Sequence, residues 1–156
     1  MILGYNNPII DKAAQSQYSS GNTVSIASPV MIDLAETLVD MVDIADWALF
    51  GKNGGDSTQL AVMISREETG RNKVLKITGG YHGANGWMQD KGSAGTIDSD
   101  SAEVISIPWN SIEDFDSAIS NFGDEIACFI LVHTITQLLK TVLCQIRLLG
   151  AYSKSL

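Results

Sequence analysis

The order of apolar and polar positions predicts an alternation of helices and strands. Helical spacing is clearest over 30–42, and a shorter helix begins at Pro8, a residue suited to the first helical position. A third helix is predicted over 57–69, where Gly70 suits its carboxyl cap, and a fourth follows its cap Ser111. Short apolar and β-branched runs predict strands at 48–50, 74–78, 104–107 and 126–132. This alternation predicts an α/β fold with a mainly parallel sheet.

Two glycine-rich turns each follow a predicted strand. Gly54 and Gly55 stand before the third helix, and the second turn, 79–83, follows strand 74–78. Because carboxyl ends of parallel strands meet at one edge of a sheet, both turns should lie where ligands bind. Paired glycines also let the N–H groups of a helix start face a phosphate or carboxylate. An ordinary strand-to-helix connection without a ligand is the alternative.

Three segments fall outside this alternation. Residues 18–30 are rich in Ser, Asn and Gly and predict an irregular crossing, while 84–102 predict a long mobile surface loop. Residues 134–149 are apolar but carry two basic residues, and a buried element is favoured over a membrane span, which needs about 20 apolar residues. We divide the chain into an amino-terminal segment (1–30), a main α/β segment (31–132) and an apolar tail (133–156).

Composition narrows the class of protein. The 156 residues are 45% apolar and 18% charged, which predicts one globular domain or part of one. A net charge of −8, with ten scattered Lys and Arg, disfavours nucleic acid as a partner. Cys128 and Cys144 lack metal-ligand spacing and lie in apolar surroundings, so we expect reduced thiols and no metal. The start lacks the features of a secretion signal, so we expect a cytoplasmic protein without a membrane anchor.

Several motifs, in order and spacing, resemble class III pyridoxal-phosphate aminotransferases. The stretches that carry the resemblance are 4–8, 34–39, 50–58, 69–73 and 79–83. The resemblance is greatest to glutamate-1-semialdehyde 2,1-aminomutases and covers roughly 2–131. It implies that 31–132 is a partial cofactor-binding large domain of fold type I, with helices on both faces of the sheet and pyridoxal 5'-phosphate (PLP) at the strand ends, and that 133–156 is a divergent apolar tail. It also implies a homodimer that acts on a small amino-acid or amino-aldehyde substrate.

The resemblance assigns cofactor-binding roles to five residues. Gly54 and Gly55 match the turn that cradles the cofactor phosphate. Asn53 and Gly55 stand where the family usually has a serine and a hydroxyl residue. Tyr81 matches the aromatic residue that stacks on the cofactor ring, and His82 accompanies it. Without the resemblance, Tyr81 would be an ordinary rim or core aromatic and His82 a loop histidine with satisfied hydrogen bonds.

The chain also departs from the family. Val132 and His133 replace the family's Glu-Pro, and the resemblance ends there. The family's Schiff-base lysine and the aspartate opposite its pyridine nitrogen have no counterpart, so we expect no catalytic residue. Lys76 is expected to be solvated or paired rather than nucleophilic. The sequence therefore predicts an inactive amino-terminal fragment of an aminotransferase or aminomutase, from a truncated or frame-shifted reading. The alternative is a non-catalytic α/β fragment that binds phosphate or a partner.

Overall fold

The first of two compact units is helical. The computed structural model describes residues 3–23 and 25–131, and the units divide between Leu49 and Phe50. Helices α1 (Pro8–Ser20) and α2 (Pro29–Met41) both begin at proline. The side chain of Asn7 accepts hydrogen bonds from the first turn of α1, and Ser28 does the same for α2. No residue of either helix is buried.

The second unit contains a three-stranded parallel sheet. Its elements are α3 (Gly54–Thr69), β1 (Lys73–Ile77), β2 (Val104–Ile107), α4 (Ile112–Phe122) and β3 (Ile126–Ile130). The strand order is β2-β1-β3, and β1 pairs in parallel with both neighbours. Helix α4 is capped as predicted by Ser111, whose hydroxyl oxygen accepts the Asp114 N–H at 3.3 Å. The expectation of a parallel α/β sheet is confirmed.

The sheet has a hydrophobic core on each face. Leu75 and Val74 are neighbours on β1 and both are fully buried, but they point to opposite faces because side chains alternate along a strand. On one face Leu75 packs with Ile107, Ile126 and Ala118 of α4. On the other face Val74 packs with Cys128 and with Val62 of α3. The helices therefore cover both faces, as the fold class requires.

The strand predicted at 48–50 is wrong. Residues 47–51 have no regular secondary structure, and Trp47 and Leu49 are 61% and 54% exposed. A run of three apolar residues is too short for its period to separate a strand from an extended loop. The first strand along the described chain is β1. Gly54 and Gly55 follow a loop, and they form the first turn of α3 rather than preceding a helix that starts at 57, because the side chain of Asn53 caps the helix earlier.

The long surface loop predicted after β1 is partly packed. It contains two 3-10 helices, Gly86–Met88 and Asp98–Ser101. Met88 is only 2% exposed, and Trp87 packs on the core cluster beneath α3. One apolar pair among polar residues shows no periodicity, so the sequence pattern missed this contact.

The apolar stretch considered for a membrane span, 134–149, lies outside the described residues. Within 3–23 and 25–131, every helix is too short or too polar to cross a bilayer.

Truncation at the centre of the sheet tests this architecture. Replacing Leu75 with Ala should lower the free energy of unfolding by about 2–5 kcal/mol, because it leaves a cavity in the α4-side core. The same change at Leu49, which is 54% exposed, should shift it by less than about 0.5 kcal/mol. Denaturant unfolding of the full chain measures both, and equal losses would contradict the assigned core.

Candidate cofactor site

The first turn of α3 leaves two backbone donors free. The side-chain oxygen of Asn53 accepts the Asp56 N–H at 3.0 Å, and the Asn53 carbonyl accepts the Ser57 N–H at 3.2 Å. The first N–H groups of a helix have no acceptor inside it. The N–H groups of Gly54 and Gly55 therefore have no partner among the residues that the structure describes. Open space surrounds Gly54, since a Cβ placed there would meet no atom within 4 Å.

The two glycine turns meet at the carboxyl edge of the sheet. A Cβ added to Gly83 would lie 2.8 Å from the Cα of Gly55, and Gly83 has a φ of +139°. Both the contact and the backbone conformation exclude other residues at this position. The start of α3 and the turn after β1 are thus in backbone contact, as predicted, although a strand precedes only the second of them.

A buried lysine fixes the turn after β1. Lys76 is fully buried in the central strand. Its Nζ donates to the carbonyls of Met88 and Gln89 at 3.0 and 2.9 Å, and to Asp90 Oδ1 at 2.9 Å. The other oxygen of Asp90 accepts the Gly79 N–H at 2.8 Å. Of the two expectations for Lys76, pairing is confirmed and solvation is wrong, because the loop folds over the strand.

Side-chain hydrogen bonds also join this loop to α3. Gln59 on α3 accepts from Trp87 Nε1 at 2.6 Å and from Asn85 Nδ2 at 3.2 Å. Within the loop, the Gln89 amide donates to the Gly83 carbonyl at 2.8 Å. The loop is therefore fastened to the strand beneath it and to the helix beside it.

Tyr81 and His82 face different environments. Tyr81 is 78% exposed, whereas His82 is 7% exposed. Burial lowers the pKa of His82, the charge of Lys76 lowers it further, and Asp90 opposes them. His82 Nε2 is buried without a hydrogen-bond partner in the described residues, so the expectation of a satisfied histidine is wrong.

The neighbours of Asp90 keep its side chain in the ionised form. The hydrogen bond from Lys76 holds the pKa of Asp90 below its ordinary value, and the Gly79 N–H lowers it as well. The carboxylate is therefore ionised at neutral pH and keeps both of its contacts.

The edge formed by the two turns suits an anion attached to a flat ring. Two free N–H groups at the start of α3, with the helix dipole behind them, fit a phosphate. The exposed ring of Tyr81, in the adjoining turn, can stack on a planar group. Asn53 contributes to this edge as the cap of α3, because both polar atoms of its side chain form hydrogen bonds with Asp56. Its Oδ1 accepts the Asp56 backbone N–H, and its Nδ2 donates to the Asp56 carboxylate. The residues present therefore fit a phosphorylated aromatic cofactor.

Several known proteins are similar to this chain in sequence. No protein-family model matches the chain. It is 38% identical over 126 residues to an aminopentol aminotransferase from Sphingopyxis macrogoltabida, a match that covers 81% of this chain and 30% of the relative. It is 30% identical over 140 residues to a glutamate-1-semialdehyde 2,1-aminomutase from Methanothermobacter thermautotrophicus, covering 84% and 33%. The chain is a relative of the class III pyridoxal-phosphate aminotransferases.

The structure agrees with this relationship. The FumI protein of Sphingopyxis sp. MTA144, solved as its PLP internal aldimine form, superimposes with a TM-score of 0.74 at 37% identity. That match covers 81% of this chain and 30% of FumI. This chain therefore has part of a fold type I domain, and it spans about a third of the length of the curated proteins it matches.

The sequence pattern missed the residues that hold the loop. Gln59, Gln89 and Asp90 follow no motif and stand among other polar residues. Lys76 is the one sequence feature that points to such residues, because a charged side chain in the middle of an apolar strand needs a buried partner.

Titration of His82 makes stability pH-dependent. Because the folded state lowers the pKa of His82, the unfolded chain binds the proton first as pH falls. The free energy of unfolding should thus decrease below about pH 6.5, by at most about 1.4 kcal/mol per pH unit for one proton. Replacing His82 with Gln should remove this slope, whereas the same change at His133, the other histidine, should keep it. Unfolding curves across this pH range measure both, and an unchanged slope in H82Q would contradict the assignment.

Proposed function

We propose that this chain supplies the phosphate- and ring-binding part of a PLP-dependent aminotransferase or aminomutase of the glutamate-1-semialdehyde 2,1-aminomutase type. The observation that carries the proposal is the contact between the start of α3 and the turn after β1. It brings two free N–H groups beside the turn that bears Tyr81. The names of the relatives support the same chemistry.

Each of the five residues has a role in this proposal. Gly54 and Gly55 donate their N–H groups to the cofactor phosphate, and Tyr81 stacks on the cofactor ring. Asn53 caps α3 and so orients those donors. His82 is the buried member of the turn, and its Nε2 has no partner among the described residues.

The chemistry itself needs groups beyond these. Bound PLP would supply an electron sink that allows an amino group to leave its carbon. The described residues bind and orient, but Lys76 does not provide the amine because its ammonium already has three acceptors. We therefore propose that the chain alone does not turn over amino donors. The full enzyme would be a cytoplasmic homodimer acting on a small amino-acid or amino-aldehyde substrate.

The test uses the full chain and three probes in equilibrium dialysis. PLP should bind more tightly than pyridoxal, which lacks the phosphate, and inorganic phosphate should compete with PLP. Equal binding of PLP and pyridoxal would refute the phosphate site. Binding of inorganic phosphate as tight as that of PLP would favour the alternative of a phosphate-binding module without a ring site. Turnover of an amino donor would show that the chain contains its own catalytic lysine.

A proline at Gly54 removes one donor while preserving the helix. Proline suits the first helical position, Asn53 before it is extended, and a Cβ at Gly54 meets nothing within 4 Å. Gly54→Pro should weaken PLP binding about tenfold or more, as expected for one hydrogen bond to a charged group. The matched control is Ile112→Pro, at the first position of α4, which should leave PLP affinity unchanged. Equal PLP affinity in G54P and the unmodified chain would exclude the Gly54 N–H as a donor.

The two departures from the family are sterically coupled. A Cβ on Gly55 would lie only 3.1 Å from the Asn53 side-chain oxygen, so a hydroxyl residue at 55 favours a smaller residue at 53. Gly55→Ser alone should lower the free energy of unfolding by about 1–3 kcal/mol through overpacking. Adding Asn53→Ser should relieve the crowding, retain a cap, and tighten PLP binding about tenfold through a new hydroxyl donor. Thermal unfolding and dialysis test the pair, and additive losses of stability would refute the coupling.

A further inference from the structure

The central strand carries a fully buried ammonium whose partners all come from one loop. Lys76 has no exposed surface, and an ammonium has three N–H donors. Each donor is used, by the carbonyls of Met88 and Gln89 and by the carboxylate of Asp90. The ammonium therefore has all three of its acceptors only while residues 88–90 lie over β1.

Opening of this loop would leave the ammonium without partners. A buried charge that loses its partner is strongly destabilising, because it has lost water without gaining other contacts. Lys76 therefore ties the loop to β1 through three hydrogen bonds, and loss of the Asp90 carboxylate with the loop closed would leave a buried charge short of an acceptor.

The same carboxylate closes the loop at its beginning. Asp90 Oδ2 accepts the Gly79 N–H at 2.8 Å, while Asp90 Oδ1 accepts from Lys76. One side chain thus ties the first and last residues of the segment 79–90 together over the end of β1. Tyr81 lies inside this closed segment, and Gly83 presses its backbone against Gly55 at the start of α3.

We propose that Lys76 and Asp90 are positioning residues that set the separation between the Tyr81 ring and the N–H groups of Gly54 and Gly55. This inference rests on the proposed function for the identity of the bound group. A molecule with a ring and a phosphate must engage both features at once, so its affinity depends on that separation. Inorganic phosphate needs only the start of α3, and its affinity does not.

The experiment compares two probes, PLP and inorganic phosphate, on the full chain. Asp90→Asn keeps the shape of the side chain but removes its charge. An asparagine has only one acceptor oxygen, so either Lys76 or Gly79 faces an amide donor instead of an acceptor. PLP affinity should fall about tenfold, comparable to the loss of one hydrogen bond to a charged group. Phosphate affinity should change by less than about twofold, within the scatter of surface changes. Hydrogen exchange at the Gly79 amide should become faster.

A double variant separates positioning from general stability. Lys76→Met with Asp90→Leu removes both charges, so no buried charge is left unpaired and stability should recover relative to D90N. The Gly79 N–H still lacks its acceptor, so PLP affinity should remain low. Should D90N fail to fold, the double variant alone carries the comparison between PLP and phosphate.

Lys73→Met is the matched control on the same strand. Lys73 pairs with Glu103 at 3.2 Å and Glu125 at 3.1 Å, at the opposite end of β1 from the loop. Its replacement should leave the affinities for PLP and phosphate unchanged.

The outcomes distinguish the two proposals. Recovery of PLP affinity along with stability in the double variant, or unchanged PLP affinity in D90N, would overturn the positioning role. If the unmodified chain binds PLP no better than pyridoxal, the proposed function fails instead. A loss of PLP and phosphate affinity by the same factor in both variants would also overturn the inference, since it would place the effect at the start of α3.

Discussion

The described part of the second unit depends on one constraint, the burial of an ammonium in the middle of its central strand. Lys76 stands between Leu75 and Ile77, in a strand whose last four residues are all buried. Such a group persists inside a protein only with a full set of acceptors. The chain provides them by folding residues 88–90 back over β1. The course of the loop follows from this requirement, although the loop itself has little regular structure.

Two lysines on β1 illustrate how the position of a charged side chain decides what it contributes to the structure. Lys73, at the amino end, bridges Glu103 and Glu125, which precede β2 and β3, and these carboxylates raise its pKa. Its partners are about half exposed, and exposed ion pairs contribute little because water screens them. Lys76, three residues later, has no contact with water. The network at the amino end joins strands, whereas the buried ion at the other end shapes a loop.

The carboxyl edge combines rigid support with bare backbone. Below it lie two apolar clusters, one on each face of the sheet. At the edge, Gly83 approaches Gly55 so closely that a side chain is excluded at Gly83, and the N–H groups of Gly54 and Gly55 have no partner among the described residues. A binding edge needs both properties, because donors must be unpaired to bind an anion and fixed to bind it well. The apolar clusters therefore support the two turns from below, while the side chains of Asn53, Lys76 and Asp90 fasten them at the edge.

The sequence by itself determined most of the regular elements and the resemblance to class III aminotransferases. The period of 30–42, the glycine and serine caps of α3 and α4, and the β-rich runs at 74–78 and 104–107 all act locally, so each can be inferred from neighbouring residues. The motifs around Gly54 and Tyr81 likewise identified the relatives and the edge of the sheet. Only the tertiary structure decided what surrounds Lys76 and His82, because the acceptors of Lys76 lie 12 to 14 residues along the chain and follow no period, and no local pattern marks the burial of His82. It also decided that 48–50 is not a strand, since a run of three residues becomes a strand only where another strand is present to pair with it.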